Sequence, residues 1–184
     1  MANSSLACTP LDIPDFVAAN SCLDEQSKIV AVVLFEVATF NFSNNDFSDM
    51  AAWEAAIASK SVILIKPVSG VIAESTVEEE EGDGFNNTIF VTRVFDQPFM
   101  HRAVDQNLTF WDALTSSQKY GFGYIMKDLT MYIPMTQDET AVLPVTFLSK
   151  ISPVGKNRKF NVNAKWEHKY FPVAKKVPMA LARA

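Results

Sequence analysis

Cysteine, glycine and histidine are all scarce in this chain. Its two cysteines, Cys8 and Cys22, stand 13 residues apart, no Cys-x-x-Cys occurs, and the only histidines, His101 and His168, lie far away. That spacing argues against a zinc site and leaves a disulfide or free thiols, of which free thiols in a reducing compartment are the simpler reading. With Gly 6 in 184 residues and no sustained heptads, a collagenous or coiled-coil fibre is excluded. The longest apolar run, residues 29–35, falls far below the ~20 residues of a membrane-spanning helix. No basic start and no apolar run precede Cys8, so the opening residues do not read as a lipoprotein signal. The four Asn-x-Ser/Thr triplets, at Asn3, Asn41, Asn86 and Asn107, are what chance gives in an Asn-rich chain. The chain is expected to be soluble and unprocessed, without membrane insertion.

Motifs for chemistry are missing too. Neither Gly82-Asp-Gly84 nor Gly121-Phe-Gly123 leads into the Gly-Lys-Ser/Thr of a phosphate loop, and no Gly-x-Ser-x-Gly occurs. His168 falls on the apolar face of an alternating segment between Trp166 and Tyr170, the setting of a hydrogen-bonded core or rim histidine. His101 follows Pro98-Phe99-Met100 and is expected to cap a loop. The acidic run Glu78, Glu79, Glu80, Glu81, Gly82, Asp83 lacks the alternating oxygen ligands and placed glycine of a calcium loop. No catalytic residue, metal or cofactor is therefore expected, and the chain does not read as an enzyme.

What the sequence does hold is 48% hydrophobic residues against 20% charged, with a mean hydropathy of +0.06. That composition folds, and the length suits one domain with a substantial core. Net charge is −5, but it is unevenly laid down. Residues 1–100 hold 4 Lys/Arg against 15 Asp/Glu, and residues 101–184 hold 12 against 6. The first part is thus at −11 and the second at +6. The basic excess concentrates in residues 150–184 and includes Lys156, Arg158, Lys159, Lys165, Lys169, Lys175 and Lys176. Glu167 and two asparagines share its polar face, which makes a nucleic-acid groove binder doubtful and partner contact at least as fitting.

Residues 1–27 are polar and turn-rich and read as an N-terminal arm. Residues 28–39 (KIVAVVLFEVAT) predict a strand buried on both faces. The clearest helix covers 50–60, capped by Ser48 or Asp49, with Met50, Trp53 and Ile57 on one face. A strand over 62–66 is stopped by Pro67. An alternating segment over 71–78 then runs into an acidic turn, and a strand covers 87–96. Residues 105–116 predict a second helix carrying Leu108, Trp111 and Leu114 and capped by Asp105. Further strands are predicted over 120–127, 130–133 and 142–151. Residues 158–170 alternate strictly, so that strand has one buried and one wet face. Residues 172–184 read as a basic C-terminal tail, extended or mobile. Seven or eight strands and two helices without a βαβ repeat predict a mainly β domain over 28–171: an antiparallel sandwich or barrel with flanking helices.

The order of these elements carries a resemblance. An apolar strand leads to an Asp-rich loop, the Trp53-Glu54-Ala55-Ala56-Ile57 helix and an Ile/Val strand. The acidic hairpin from Glu74 to Asp83 follows, then Asn107-x-x-x-Trp111-Asp112 with Phe110, a Gly-Tyr-Ile strand and a last Trp-bearing strand. This pattern resembles the tail-tube or tail-ring structural proteins of tailed bacteriophages, especially those infecting Bacteroidetes, including crAss-like phages. The resemblance covers residues 28–171. It implies a virion structural protein, made in the host cytoplasm, that closes into a homo-oligomeric ring of six or twelve subunits around the DNA channel. Its partners would be neighbouring tail, portal or adaptor proteins, with transient contact to passing DNA during ejection. Glu74, Glu78, Glu79, Glu80, Glu81 and Asp83 become candidates for the lumen or for ring stacking, and the basic residues named above for the complementary assembly surface. Two other classes compete: a receptor-binding or head-decoration module, and a small enzyme with an inter-subunit site using His101 or His168 as base.

Overall fold

A computed structural model of the chain describes residues 28–81, 88–102, 107–115, 117–151 and 158–182. Its elements are β1 (Lys28–Glu36), a 3-10 turn (Asp46–Ser48), α1 (Met50–Ala58), β2 (Val62–Ile65), β3 (Val68–Val71), β4 (Thr76–Glu81) and β5 (Thr88–Arg102). They continue with α2 (Leu108–Thr115), β6 (Tyr120–Met126), β7 (Thr130–Ile133), β8 (Thr146–Ile151), β9 (Lys159–His168), β10 (Val173–Lys176) and α3 (Met179–Ala182). The protein is mainly β with flanking helices. Every strand pair among the described residues is antiparallel, in the order β10-β7-β6-β1-β3-β5-β9-β8, with β2 also on β1 and β4 also on β5.

β1 is the centre of this arrangement, as its unbroken Val/Ile/Leu/Phe run requires. Ile29, Val32 and Leu34 enter one core, and Ala31, Val33 and Phe35 enter the other. A shift of register against β6 between Ile29 and Ala31 puts Ile29 and Val32 on the same face despite their odd spacing. The first core lies between the two halves of the sheet. Phe122 on β6 meets Phe99 on β5, Phe147 on β8 and Trp166 on β9, with ring centroids 5.7–6.0 Å apart. The architecture is therefore sandwich-like, with Trp111 and Leu114 of α2 packed into the same core. The second core lies on the outer face of the β1 half, under α1, the 3-10 turn and α3.

β3 joins the two halves. Gly70 and Val71 pair with β1, while Val68 and Ser69 pair with β5. Pro67, which has no N–H to offer a ladder, separates β2 from β3, so the chain leaves β1 only partly and turns toward β5. Two close approaches need glycine on β6. A Cβ at Gly121 would lie 2.2 Å from Val142 Cγ1, and one at Gly123 would lie 2.9 Å from Phe35 Cε2.

Several expectations change. The tail after Pro172 is not simply extended: β10 pairs with β7, and α3 follows it with Leu181 buried. A separate strand, β3, follows Pro67 directly, and β5 is longer than predicted. α1 buries Trp53 and Ala56 and leaves Ile57 exposed, because the sheet meets it one position from the predicted stripe. Asp49, not Ser48, is its cap, accepting from the Ala51 N–H at 3.0 Å. The predicted caps and thiols at Asp105, Cys8 and Cys22 lie outside the described residues.

Candidate functional site

Residues 79–81, expected to lie in a turn, belong with Glu78 to strand β4. The hairpin itself is as predicted, with β4 paired antiparallel to β5 from Thr76 opposite Val94 to Glu81 opposite Thr88. β5 meets β9 only from Arg93 onward. Among the described residues the stretch of β5 before Arg93 is thus matched by β4 alone, and the two strands form an acidic ribbon running on from the sheet. Glu78 is exposed on it. Asp83 lies outside the described residues.

β3 and β4 share one edge of β5 but are separated by residues 72–75. Gln97, only 2% exposed, spans the break. Its Nε2 donates to the Val71 carbonyl at 2.8 Å and to the Pro98 carbonyl at 3.0 Å, and its Oε1 accepts from the Ala73 N–H at 3.1 Å. A side-chain amide offers the donor and acceptor that a peptide group would, so Gln97 stands in for the missing strand pairing.

The displaced segment makes one wall of a groove of ≈ 610 Å³, lined by Ile72, Ala73, Glu74, Ser75, Phe95, Asp96, Gln97, Tyr124, Tyr132, Trp166, Phe171 and Pro172. Phe95 and Trp166 are cross-strand partners on β5 and β9, stacked at 4.9 Å with planes 5° apart. Tyr124 and Tyr132, partners on β6 and β7, stack at 5.5 Å. Burial, and then Tyr132, push the Tyr124 hydroxyl above its ordinary pKa. The groove is the open mouth of the first core, and its apolar surface is large for a position facing water. Phe171 is 64% exposed there, packed edge-on against Phe95 and covered by the Arg93 guanidinium at 4.6 Å. Of the assembly candidates among the described residues, Glu74 lines it.

The basic candidates are divided between the two halves of the sheet. On β9, Lys165 pairs with Asp96 at 3.1 Å. Lys159 is exposed opposite Arg102, and Arg158 is exposed just before it. Lys169 sits beyond β9, its Nζ 5.8 Å from the Tyr170 ring. On β10, Lys175 binds Glu139 and the Asn44 side chain, while Lys176 binds Thr130 Oγ1 at 2.6 Å and lies 3.6 Å from Asp128. Lys156 lies outside the described residues. Sequence reading missed this internal use of Lys175 and Lys176, because their acidic partners are 36 and 48 residues away.

Burial opposes ionisation of Asp128, but bonds from the Thr130 hydroxyl and N–H, together with Lys176, outweigh it and hold the carboxyl below its usual range. A carboxyl depressed in the folded state adds stability above its unfolded pKa of about 3.9 and loses it as pH falls through the folded value. Asp128→Asn is therefore expected to lower Tm at pH 7, with the difference from wild type shrinking toward pH 3. Thermal melts across that range check it; a gap independent of pH would refute it.

The two histidines do not meet. His101 pairs with Phe160 and His168 with Arg93, which puts them eight residues apart along β9, about 26 Å at strand rise. His101 lies within β5 rather than capping a loop; burial lowers its pKa, and its Nδ1 has no partner among the described residues. His168 packs edge-on against Tyr170 at 5.5 Å. Among the described residues no group of three or more His, Cys, Asp or Glu side chains is placed to hold a metal ion. No helix among them is long and apolar enough to cross a membrane. In comparisons with known proteins, no family model, curated sequence or solved structure matches the chain.

Proposed function

We propose that this protein is a structural subunit of a tailed-bacteriophage tail, closing with copies of itself into a ring of the tail tube or tail barrel around the DNA channel. The observation that carries this reading is the pair of open edges on one half of the sheet. Among the described residues β4 pairs with β5 alone and β8 with β9 alone. The β4 edge carries four glutamates, whereas β8 carries Lys150 and exposes Leu148 and Ile151. Two unlike edges on one subunit suit a heterologous, head-to-tail contact that closes into a ring, and the opposite charges favour one register over others. An unpaired strand edge invites pairing unless it is covered. An acidic ribbon also suits a channel that must not hold phosphate.

Negative-stain imaging and mass measurement of the purified protein test the proposal. Rings of six or twelve copies are expected, and reversing the charges of Glu78, Glu79, Glu80 and Glu81 to lysine is expected to abolish them. Intact assembly and genome ejection in that variant would remove the ribbon from the interface, and a strict monomer at every concentration would count against the ring.

A second reading is favoured by the exposed aromatic groove: a receptor-binding or head-decoration module of a virion, also without catalysis. A monomer or trimer that binds a partner through Phe171 and Tyr132 would support it. The enzyme reading, with His101 or His168 as base in a site between subunits, has no observation of its own to favour it.

A further inference from the structure

We propose that the aromatic groove is a docking site for a proline-rich segment of a partner protein, bound as a polyproline II helix with a lysine or arginine beside its prolines. At ≈ 610 Å³ the groove falls within the usual size of a binding pocket, about 300–1,000 Å³, and like such pockets it is lined mostly by apolar side chains. Phe171 and Ile72 are 64% and 40% exposed at its rim. Apolar surface gathered in a concavity marks a binding site rather than ordinary exposure. A second observation also points to a ligand. Trp166, 6% exposed on the groove wall, has a buried Nε1 with no acceptor among the described residues. Buried donors are rarely left unmatched, so this indole N–H is free for an oxygen that a ligand brings.

The polar side chains of the groove select the ligand. The indole N–H of Trp166 can only donate. Burial keeps the Tyr124 hydroxyl protonated, a second donor, and Tyr132, stacked on it at 5.5 Å, carries a third. The side chains that could accept are largely in use. Gln97 Oε1 takes the Ala73 N–H, and Asp96 is paired with Lys165. Glu74, exposed at the rim, is the remaining carboxylate among the lining residues. A ligand lying on the aromatic floor must therefore bring carbonyls there and few N–H groups. Proline meets both conditions, having a C=O and no N–H. A sugar brings hydroxyls that each need an acceptor as well as a donor, and an ordinary extended peptide would turn N–H groups onto the rings.

The shape of the site agrees. Phe95 with Trp166 and Tyr124 with Tyr132 are stacked pairs from opposite halves of the sheet, so the groove presents two aromatic walls. A polyproline II helix, with about three residues per turn and no internal hydrogen bonds, turns both its rings and its carbonyls outward toward such walls. It is already extended before it binds, so little ordering entropy is lost on docking, which suits a groove with few polar anchors. Charge sets the direction. Glu74 at the rim and Glu78, exposed on the adjoining β4, favour a lysine or arginine at that end of the ligand. On the Phe171 side, Arg93 lies over the ring and donates to the Lys169 carbonyl at 2.6 Å, which disfavours a second cation there. This docking does not depend on ring formation.

Calorimetric titration of the purified full chain with synthetic peptides tests it. The probe is octaproline flanked by arginines, and the control is the same peptide with serine in place of every proline. The proline peptide is expected to bind at least 10-fold more tightly than the serine control. Trp166→Phe, which keeps a ring against Phe95 and removes the N–H, is expected to weaken binding at least 5-fold. Phe171→Ala, at an exposed position outside the core, is expected to do the same without a change in Tm. Glu74→Lys is expected to weaken the arginine-flanked peptide at least 5-fold and to strengthen an aspartate-flanked octaproline by a similar factor. That exchange of preference is a result that mere loss of folding cannot give. No binding of the arginine-flanked octaproline at millimolar concentration, equal affinity for the serine control, or an unchanged charge preference in Glu74→Lys would overturn the proposal. Tighter binding of cellohexaose than of octaproline would overturn it in favour of a carbohydrate site.

Discussion

Trp53→Ala is expected to strip the helical layer from the sheet and to lower stability by about 3–5 kcal/mol, the range for deleting a large buried aromatic side chain. Trp53 is fully buried in the second core, with Phe35, Phe42 and Phe47 at centroid distances of 5.1–6.4 Å. Its indole N–H donates to the Phe47 carbonyl at 3.0 Å, tying α1 to the 3-10 turn. The alanine variant loses both the ring contacts and the donor, and it leaves a buried carbonyl unpaired. Trp53→Phe keeps most of the volume and loses mainly the hydrogen bond, so its cost is expected to be less than half as large. Urea unfolding followed by far-ultraviolet circular dichroism gives both values. A Trp53→Ala cost below about 1 kcal/mol, well under the range for such deletions, would show that the helical layer contributes little to the fold.

Gln97→Leu is expected to cost about 2–4 kcal/mol although the side chains are similar in size, because each buried group left without a partner costs about 1–3 kcal/mol. The Val71 carbonyl and the Ala73 N–H lose their partner, and residues 72–75 lose the bridge that holds them against β5. Gln97→Glu separates the two halves of the interaction. A carboxylate still accepts from Ala73 N–H but cannot donate to the Val71 and Pro98 carbonyls, so that variant is expected to recover stability as pH falls and the carboxyl protonates. Melts at pH 7 and pH 4, compared with wild type, read this directly. A Glu variant whose deficit grows on acidification relative to wild type would refute the bridging role.

The strands that sequence reading located best are those whose burial is set by their own period. β9 buries Phe160, Val162, Ala164 and Trp166 and turns Lys159, Asn161, Lys165 and Glu167 outward, as strict alternation dictates. β1 is buried on both faces because it has no polar face to offer, and the Asp49 cap of α1 is local chemistry between neighbours. β10 was hidden for the opposite reason. Val173-Ala-Lys-Lys176 has no pattern of its own and becomes a strand because β7 offers an edge, with Asp128, Thr130 and Glu139 receiving its two lysines.

The groove was equally hidden. Phe95, Tyr124, Tyr132 and Trp166 each look like ordinary strand aromatics, and Gln97 falls just past the end of its predicted strand. Their shared site exists only once the two halves of the sheet face each other. Composition, period-two alternation and capping determined by themselves that this protein is a mainly β domain with flanking helices, since those signals act between residues a few positions apart. The order of the strands, the β4 and β8 edges left unpaired among the described residues and the aromatic groove were decided by tertiary structure alone. They depend on which distant surfaces exclude water together, and a side chain carries no mark of its partner until the fold has brought the two into contact.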